Sequence, residues 1–258
     1  VFIVDHNVPS DCPKTAASQK KMRDFAKENN IDFWEGKGVC HQVMMEHYVC
    51  PGELIFGADS HTCSYGALGA FGTGVGCTDL LYGMVTGKSW VLVPETVKFN
   101  LVGKLPEGVY ARDLILTIIG TIGANGCNYQ VMEFTGEGAK TLSISERMVL
   151  CNMAVEAGAK TGIFEPDEKA IEYLAAHGRK PKALFTSDPD AVYAREYTFD
   201  LSKIRPVVAK PDFVDNLVPA EEVRGVKIDE AFLGSCNNGR IEDLRVGASI
   251  IKGKKVAE

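Results

Sequence analysis

Three of the five histidines stand where an apolar run stops. Val1-Phe2-Ile3-Val4-Asp5 ends on His6, Gly38-Val39-Cys40 ends on His41, and Leu54-Ile55-Phe56-Gly57-Ala58-Asp59-Ser60 ends on His61. Runs of this kind read as buried strands of a parallel sheet, and open α/β sheets gather ligands beyond the carboxyl ends of such strands. Asp5 adjoins His6, and Asp59 lies two positions before His61. An imidazole supported by a carboxylate can deliver a proton to a leaving hydroxyl near neutral pH. One histidine alone would read as a satisfied core residue. Three at equivalent places, two beside carboxylates, read as one polar site that handles protons.

Two other chemistries compete for the same residues. Asp59, Ser60 and His61 contain the residue types of a hydrolase relay. However, three consecutive residues rarely converge as a relay, and no Gly-x-Ser-x-Gly elbow is present. Three histidines with an aspartate can instead bind zinc or iron directly, as in a mononuclear metal hydrolase, and composition leaves that open. A noncatalytic scaffold is the third possibility. Gly72-x-Gly74-x-Gly76 lacks the context of a dinucleotide fingerprint and the Lys-Ser/Thr of a P-loop. Its expected use is close backbone packing or a turn into a helix.

The eight cysteines are spread along the chain without any CxxC, so spacing shows no complete zinc or cluster site. A core-rich chain without a signal peptide reads as one for a reducing, cytoplasmic setting. Cys236 stands apart. It lies in Ser235-Cys236-Asn237-Asn238-Gly239-Arg240, after the apolar Ile228–Gly234 and before a helix from Ile241 to Lys252. A strand–turn–helix reading puts Cys236 at a helix N-terminus, which favours the thiolate.

The elements that position these residues follow from periodicity. Helices are expected over Lys14–Asn30, Val39–Tyr48, Thr78–Gly87, Ala111–Gly123, Ile144–Ala157 and Glu168–Ala176, with His177 at a surface C-cap. Strands are expected at Leu54–Gly57, Val97–Gly103, Tyr129–Phe134, Tyr197–Leu201 and Pro206–Ala209, and a loop over Asp59–Tyr65. The expected organisation is three α/β units, roughly 1–95, 96–190 and 191–258, the last incomplete. The chain has 258 residues, 45% hydrophobic, with a net charge of −6 and no basic block. That balance points away from nucleic acid and anionic membranes, and no run approaches a bilayer span. The chain opens on Val1 without Met, and Gly253–Glu258 reads as the entry to a strand, so it reads as a fragment truncated at both ends.

Six strings occur in order: Val4-Asp5-His6, Gly38-x-Cys40-His41-Gln42, Gly57-Ala58-Asp59-Ser60-His61-Thr62, Gly66–Gly74, Val131-Met132-Glu133-Phe134 and Gly234-Ser235-Cys236-Asn237-Asn238. Together they closely resemble the aconitase superfamily, and within it the branch of isopropylmalate dehydratase large subunits of archaeal type, which is hard to separate from homoaconitase large subunits. The resemblance implies α/β/α layered domains with mostly parallel sheets. It also implies a hydro-lyase that dehydrates a small 2-hydroxy acid and rehydrates the product at the neighbouring carbon. A [4Fe–4S] cluster on three cysteines would act as Lewis acid. By the same resemblance Cys236 is one cluster ligand, and His6 with Asp5 protonates the departing hydroxyl. His41 and Asp59 orient iron-bound water, and Glu133 orients His61. Ser60 and Asn238 contact substrate. The other two cluster cysteines and the substrate-gripping arginines of the family lie beyond Glu258. The catalytic serine lies in a swivelling domain, here a separate small subunit in a heterodimer or heterotetramer. One thiolate cannot hold a cubane, so this chain alone is expected to carry no stable cluster and no turnover. Asn237 and Ser64 depart from common family residues at their positions.

Overall fold

The computed structural model describes residues 1–255; the end of the expected C-terminal strand, 256–258, lies outside them. The chain divides into two compact units, Val1–Tyr48 and a second from Val49 onward.

The first unit has β1 (Phe2–Val4), α1 (Pro13–Glu28), β2 (Phe33–Glu35) and α2 (Cys40–His47). β1 and β2 pair in parallel, with Phe2 opposite Phe33 and Val4 opposite Glu35. Pro13 opens α1, where a missing N–H costs nothing. Ala26 turns inward, and Phe25 stacks on Phe2 at 6.1 Å. The apolar run before His6 is therefore a strand, and His41 lies on the first turn of α2.

The second unit runs from β3 (Leu54–Gly57) and β4 (Phe71–Gly74) through α3 (Cys77–Thr86), β5 (Thr96–Val102), α4 (Ala111–Ile122) and β6 (Val131–Thr135). It continues with α5 (Glu137–Thr141), α6 (Ile144–Asn152), β7 (Thr161–Phe164), α7 (Glu168–Ala176), β8 (Arg195–Asp200), β9 (Val207–Ala209), β10 (Leu217–Pro219) and α8 (Ile241–Ile251). Its main sheet is all parallel in the order β7-β6-β5-β8. This is the mixed α/β architecture with a mostly parallel sheet that the sequence implies. β5 alternates half-buried and buried residues along Thr-Val-Lys-Phe-Asn-Leu-Val, so one face covers the core. β6 is buried on both faces, as a central parallel strand is. Phe99, Phe134, Phe164 and Tyr197 share one register and stack across the four strands at 5.6, 5.1 and 5.5 Å. Each such pair adds about 0.5–1.5 kcal/mol beyond its burial.

Local signals set the helix ends. Ser143 and Glu146 cap α6 reciprocally, Glu146 accepting from the Ser143 amide at 2.7 Å. Asp167 caps α7 through the Ala170 amide and takes both Nη groups of the buried Arg147 at 2.8 and 2.5 Å. His177 closes α7 before Gly178 at φ 67°, and its Nδ1 lies 2.8 Å from the Tyr173 carbonyl.

β8 pairs with β5 over six residues, so the chain after residue 190 returns to the sheet that begins at Thr96. Two expectations change. Asp59–Tyr65 is not an open loop: Ser60–Leu68 winds as a 3-10 helical segment, and Thr62–Leu68 are buried. Ile228–Gly234 forms no strand; Ile228, Phe232 and Leu233 are exposed and have no ladder partner.

Candidate active site

In the first unit Asp5 is the organising residue. It sits at the end of β1, and its Oδ2 accepts the Cys40 amide at 2.6 Å. That amide is the first N–H of α2, which has no intrahelical acceptor. The other carboxylate oxygen meets His6 Nδ1 at 2.7 Å. Burial pushes the Asp5 carboxyl up, but the Cys40 amide and the His6 imidazole together pull it below its usual value. The His6 side chain is 74% exposed. His41, one residue into α2, is buried.

In the second unit the strand-end glycines let the chain fold tightly around Asp59. A Cβ on Gly74 would lie 2.8 Å from the Asp59 carbonyl, and one on Gly72 would lie 2.3 Å from the Thr62 carbonyl. The glycine run thus serves close backbone packing. Asp59 caps the 3-10 segment by accepting the His61 amide at 2.7 Å. The His61 ring sits between two carboxylates: Nδ1 is 3.7 Å from Asp59 Oδ1, and Nε2 is 3.6 Å from Glu156 Oε1. Ser60 Oγ lies 3.2 Å from the same Nδ1. Asp59 first and Glu156 second raise the His61 pKa to about 10, against the opposing effect of burial. His61 in turn lowers Glu156, with Arg112 adding to the effect. At neutral pH this imidazole is a fixed cation and donor, not a base.

Cys236 faces the same cluster. Its Sγ lies 4.0 Å from Asn152 Oδ1, and it belongs to the electrostatic environment of His61, Arg112 and Arg240. It does not sit at a helix N-terminus. α8 begins at Ile241, and Asp243 occupies its open first turn by accepting from the Arg240 amide at 3.1 Å and from Asn238 Nδ2 at 2.9 Å. Cys236 lies in the preceding turn, after Ser235 at φ 69°.

Glu133 does not hold His61. It accepts from Ser187 Oγ at 2.9 Å and Tyr193 OH at 3.1 Å, the partners that a carboxylate on a central strand requires. The carboxylates at His61 are Asp59 and Glu156. Glu156 lies on the 3-10 turn Met153–Ala157 after α6, where no neighbouring motif announces it. Sequence reading also missed Arg112, Asn152 and Arg240. Ser60 lines a cavity of about 350 Å³ with Thr73 and Lys160, and Asn238 lines another of about 460 Å³ with Arg112 and Ser235.

No helix among the described residues is long and apolar enough to cross a membrane. Residues 2–225 match the model of the aconitase family (aconitate hydratase). The chain is 49% identical to the 3-isopropylmalate dehydratase large subunit 1 of Methanopyrus kandleri, over 99% of its own length and 62% of the relative's. It is 51% identical to the probable 3-isopropylmalate dehydratase large subunit of Methanothermobacter thermautotrophicus, over 100% and 62%. A probable methanogen homoaconitase large subunit of that organism is 48% identical over 100% and 61%. The chain spans about three fifths of the length of these curated relatives.

Proposed function

The chain belongs to the aconitase family, and from that premise we propose that it is part of the large subunit of a hydro-lyase. The reaction interconverts 2-isopropylmalate and 3-isopropylmalate by loss and readdition of water, as the names of the two dehydratase relatives suggest. The observation that carries this reading is His61, held cationic between Asp59 and Glu156. Such a fixed cation anchors the two carboxylates beside Cys236 and needs no reorganisation during reaction. His6, oriented by Asp5, hands a proton to the departing hydroxyl. His41 takes part in orienting water, and Ser60 and Asn238 contact the substrate.

The family's [4Fe–4S] cluster needs three cysteine thiolates and would supply Lewis-acid polarisation of the hydroxyl. Cys236 is one candidate ligand. Cys63 and Cys151 are fully buried thiols, burial pushing Cys63 up to about 12 and Cys151 well above its ordinary value. Among the described residues no three His, Cys, Asp or Glu side chains are grouped to hold a metal. The described residues supply one candidate ligand of three and do not by themselves fit the cluster. The relatives' designation as large subunits supports a small-subunit partner that completes the site.

The test is an anaerobic assay of the complete large subunit with its small subunit against isopropylmalate, homocitrate-derived and citrate-derived substrates. Turnover of isopropylmalate is expected. Turnover of the homocitrate-derived substrate alone would replace this reading with that of a homoaconitase. A visible spectrum showing only a zinc-bound, colourless enzyme would favour a mononuclear metal hydrolase.

A further inference from the structure

Arg112 lies on the first turn of α4, far from Cys236 in sequence, yet its Nη1 donates to Asn237 Oδ1, one residue beyond Cys236. From Asn237 a line of side chains runs inward. Asn237 Nδ2 donates to Asn152 Oδ1 at 3.0 Å and also to the Val149 carbonyl at 3.2 Å. Asn152 Nδ2 donates to Ser64 Oγ at 3.0 Å. Ser64 Oγ donates to the His61 carbonyl at 2.7 Å. Asn237, Asn152 and Ser64 are 5%, 1% and 1% exposed. Every link points the same way, from the guanidinium to the His61 backbone.

Hydrogen bonds aligned in one direction polarise one another, and a buried network is favourable only if its head and tail are both satisfied. The tail is the His61 carbonyl. The head is the Asn237 carbonyl oxygen, which needs a donor that never deprotonates; arginine is that donor. We infer that Arg112 is a positioning residue. It closes this chain and so locks the turn bearing Cys236 in register with the turn bearing His61. Glu156 and Cys236 lie in the field of the same guanidinium, so one side chain ties the two turns and their charged groups together. Arg240 steadies the Cys236 turn from the other side, donating to the Cys236 and Asn237 carbonyls. It reaches only backbone of that turn, whereas Arg112 is the link to His61.

The clamp can be tested in the 258-residue chain without reference to turnover. Iodoacetamide labelling is followed by peptide mapping, with the exposed Cys12 and Cys77 as internal references. Read above the ordinary thiol pKa of about 8.5, where loss of the Arg112 charge does not itself set the thiolate fraction, Arg112→Met should speed labelling of Cys236 about tenfold relative to both references, the scale of one hydrogen bond to a charged group. Arg112→Lys should recover most of the protection. Asn237→Ala in the Arg112→Met background should add little, because the two act in one network. Unchanged labelling in Arg112→Met, or equal acceleration at every cysteine, overturns the clamp. If Arg112→Met loses its circular dichroism, Arg112→Gln is judged by the same criteria. The consequence for turnover rests on the hydro-lyase reading: in the complete enzyme Arg112→Met should lower kcat and leave KM within about twofold. A wild-type complete enzyme that ignores isopropylmalate sinks that reading and leaves the labelling result standing.

Discussion

His6 and His61 each follow an aspartate closely, but their surroundings give them different electrostatic roles. His6 is exposed, and its Nδ1 meets Asp5, whose second oxygen is committed to the α2 amide. His61 is half-buried, meets two carboxylates, and carries a pKa raised to about 10. A carboxylate shared with a helix end orients a ring. Two carboxylates on opposite ring nitrogens hold it in its charged form. The motif Asp-His therefore does not specify a proton donor; the placement of the surrounding carboxylates decides.

The largest expected effects separate these roles in the complete enzyme. His6→Ala should lower kcat by roughly 10²–10⁴, the contribution of a positioned proton donor. It should change the stability of the first unit by less than about 0.5 kcal/mol, as for other exposed side chains. Chemical denaturation beside steady-state kinetics reads both, and a large stability loss with intact kcat would reverse the assignment. His61→Ala should cost roughly 10²–10³ in kcat, because Asp59 and Glu156 lose the cation that holds them in place. Its loss should persist across pH 6–8, because a permanent cation has no titration step there.

A smaller effect tests the other half of the comparison. Asp5→Ala leaves the Cys40 amide without its acceptor and should destabilise the first unit by about 1–2 kcal/mol. Asp5→Asn should recover part of that, since an amide oxygen still accepts. Equal stability in all three proteins would remove the anchor. The smallest effect is a pH slope. The His61 pKa is raised on folding, so its contribution to stability is full below its unfolded value near 6.5 and is lost as pH rises toward about 10. Denaturation midpoints should decline across that window, and His61→Gln should flatten the decline.

Much of the scaffold was readable because local patterns and tertiary packing agree. The alternation of β5 and the Gly178 stop each place an element close to where it lies. The end of β3 just before Asp59 was readable too, but not the buried 3-10 segment that follows it. Glu156 was not, because ninety-five positions separate it from His61 and only the packing of α6 on the 3-10 segment brings them together. Glu133 was misread for the complementary reason: a carboxylate in a buried strand must have partners, but the sequence does not say which. Cys236 was placed too close to α8 because Asp243, three residues inside the cap, already satisfies the helix end.

The most direct measurement is a ring-nitrogen NMR titration of His61, assigned by comparison with His61→Gln. The account predicts an imidazolium with both nitrogens protonated through pH 8, a midpoint near 10, and a lower midpoint in Glu156→Gln. A midpoint near 6.5, unmoved by Glu156→Gln, would mean that the two carboxylates do not hold the ring as described.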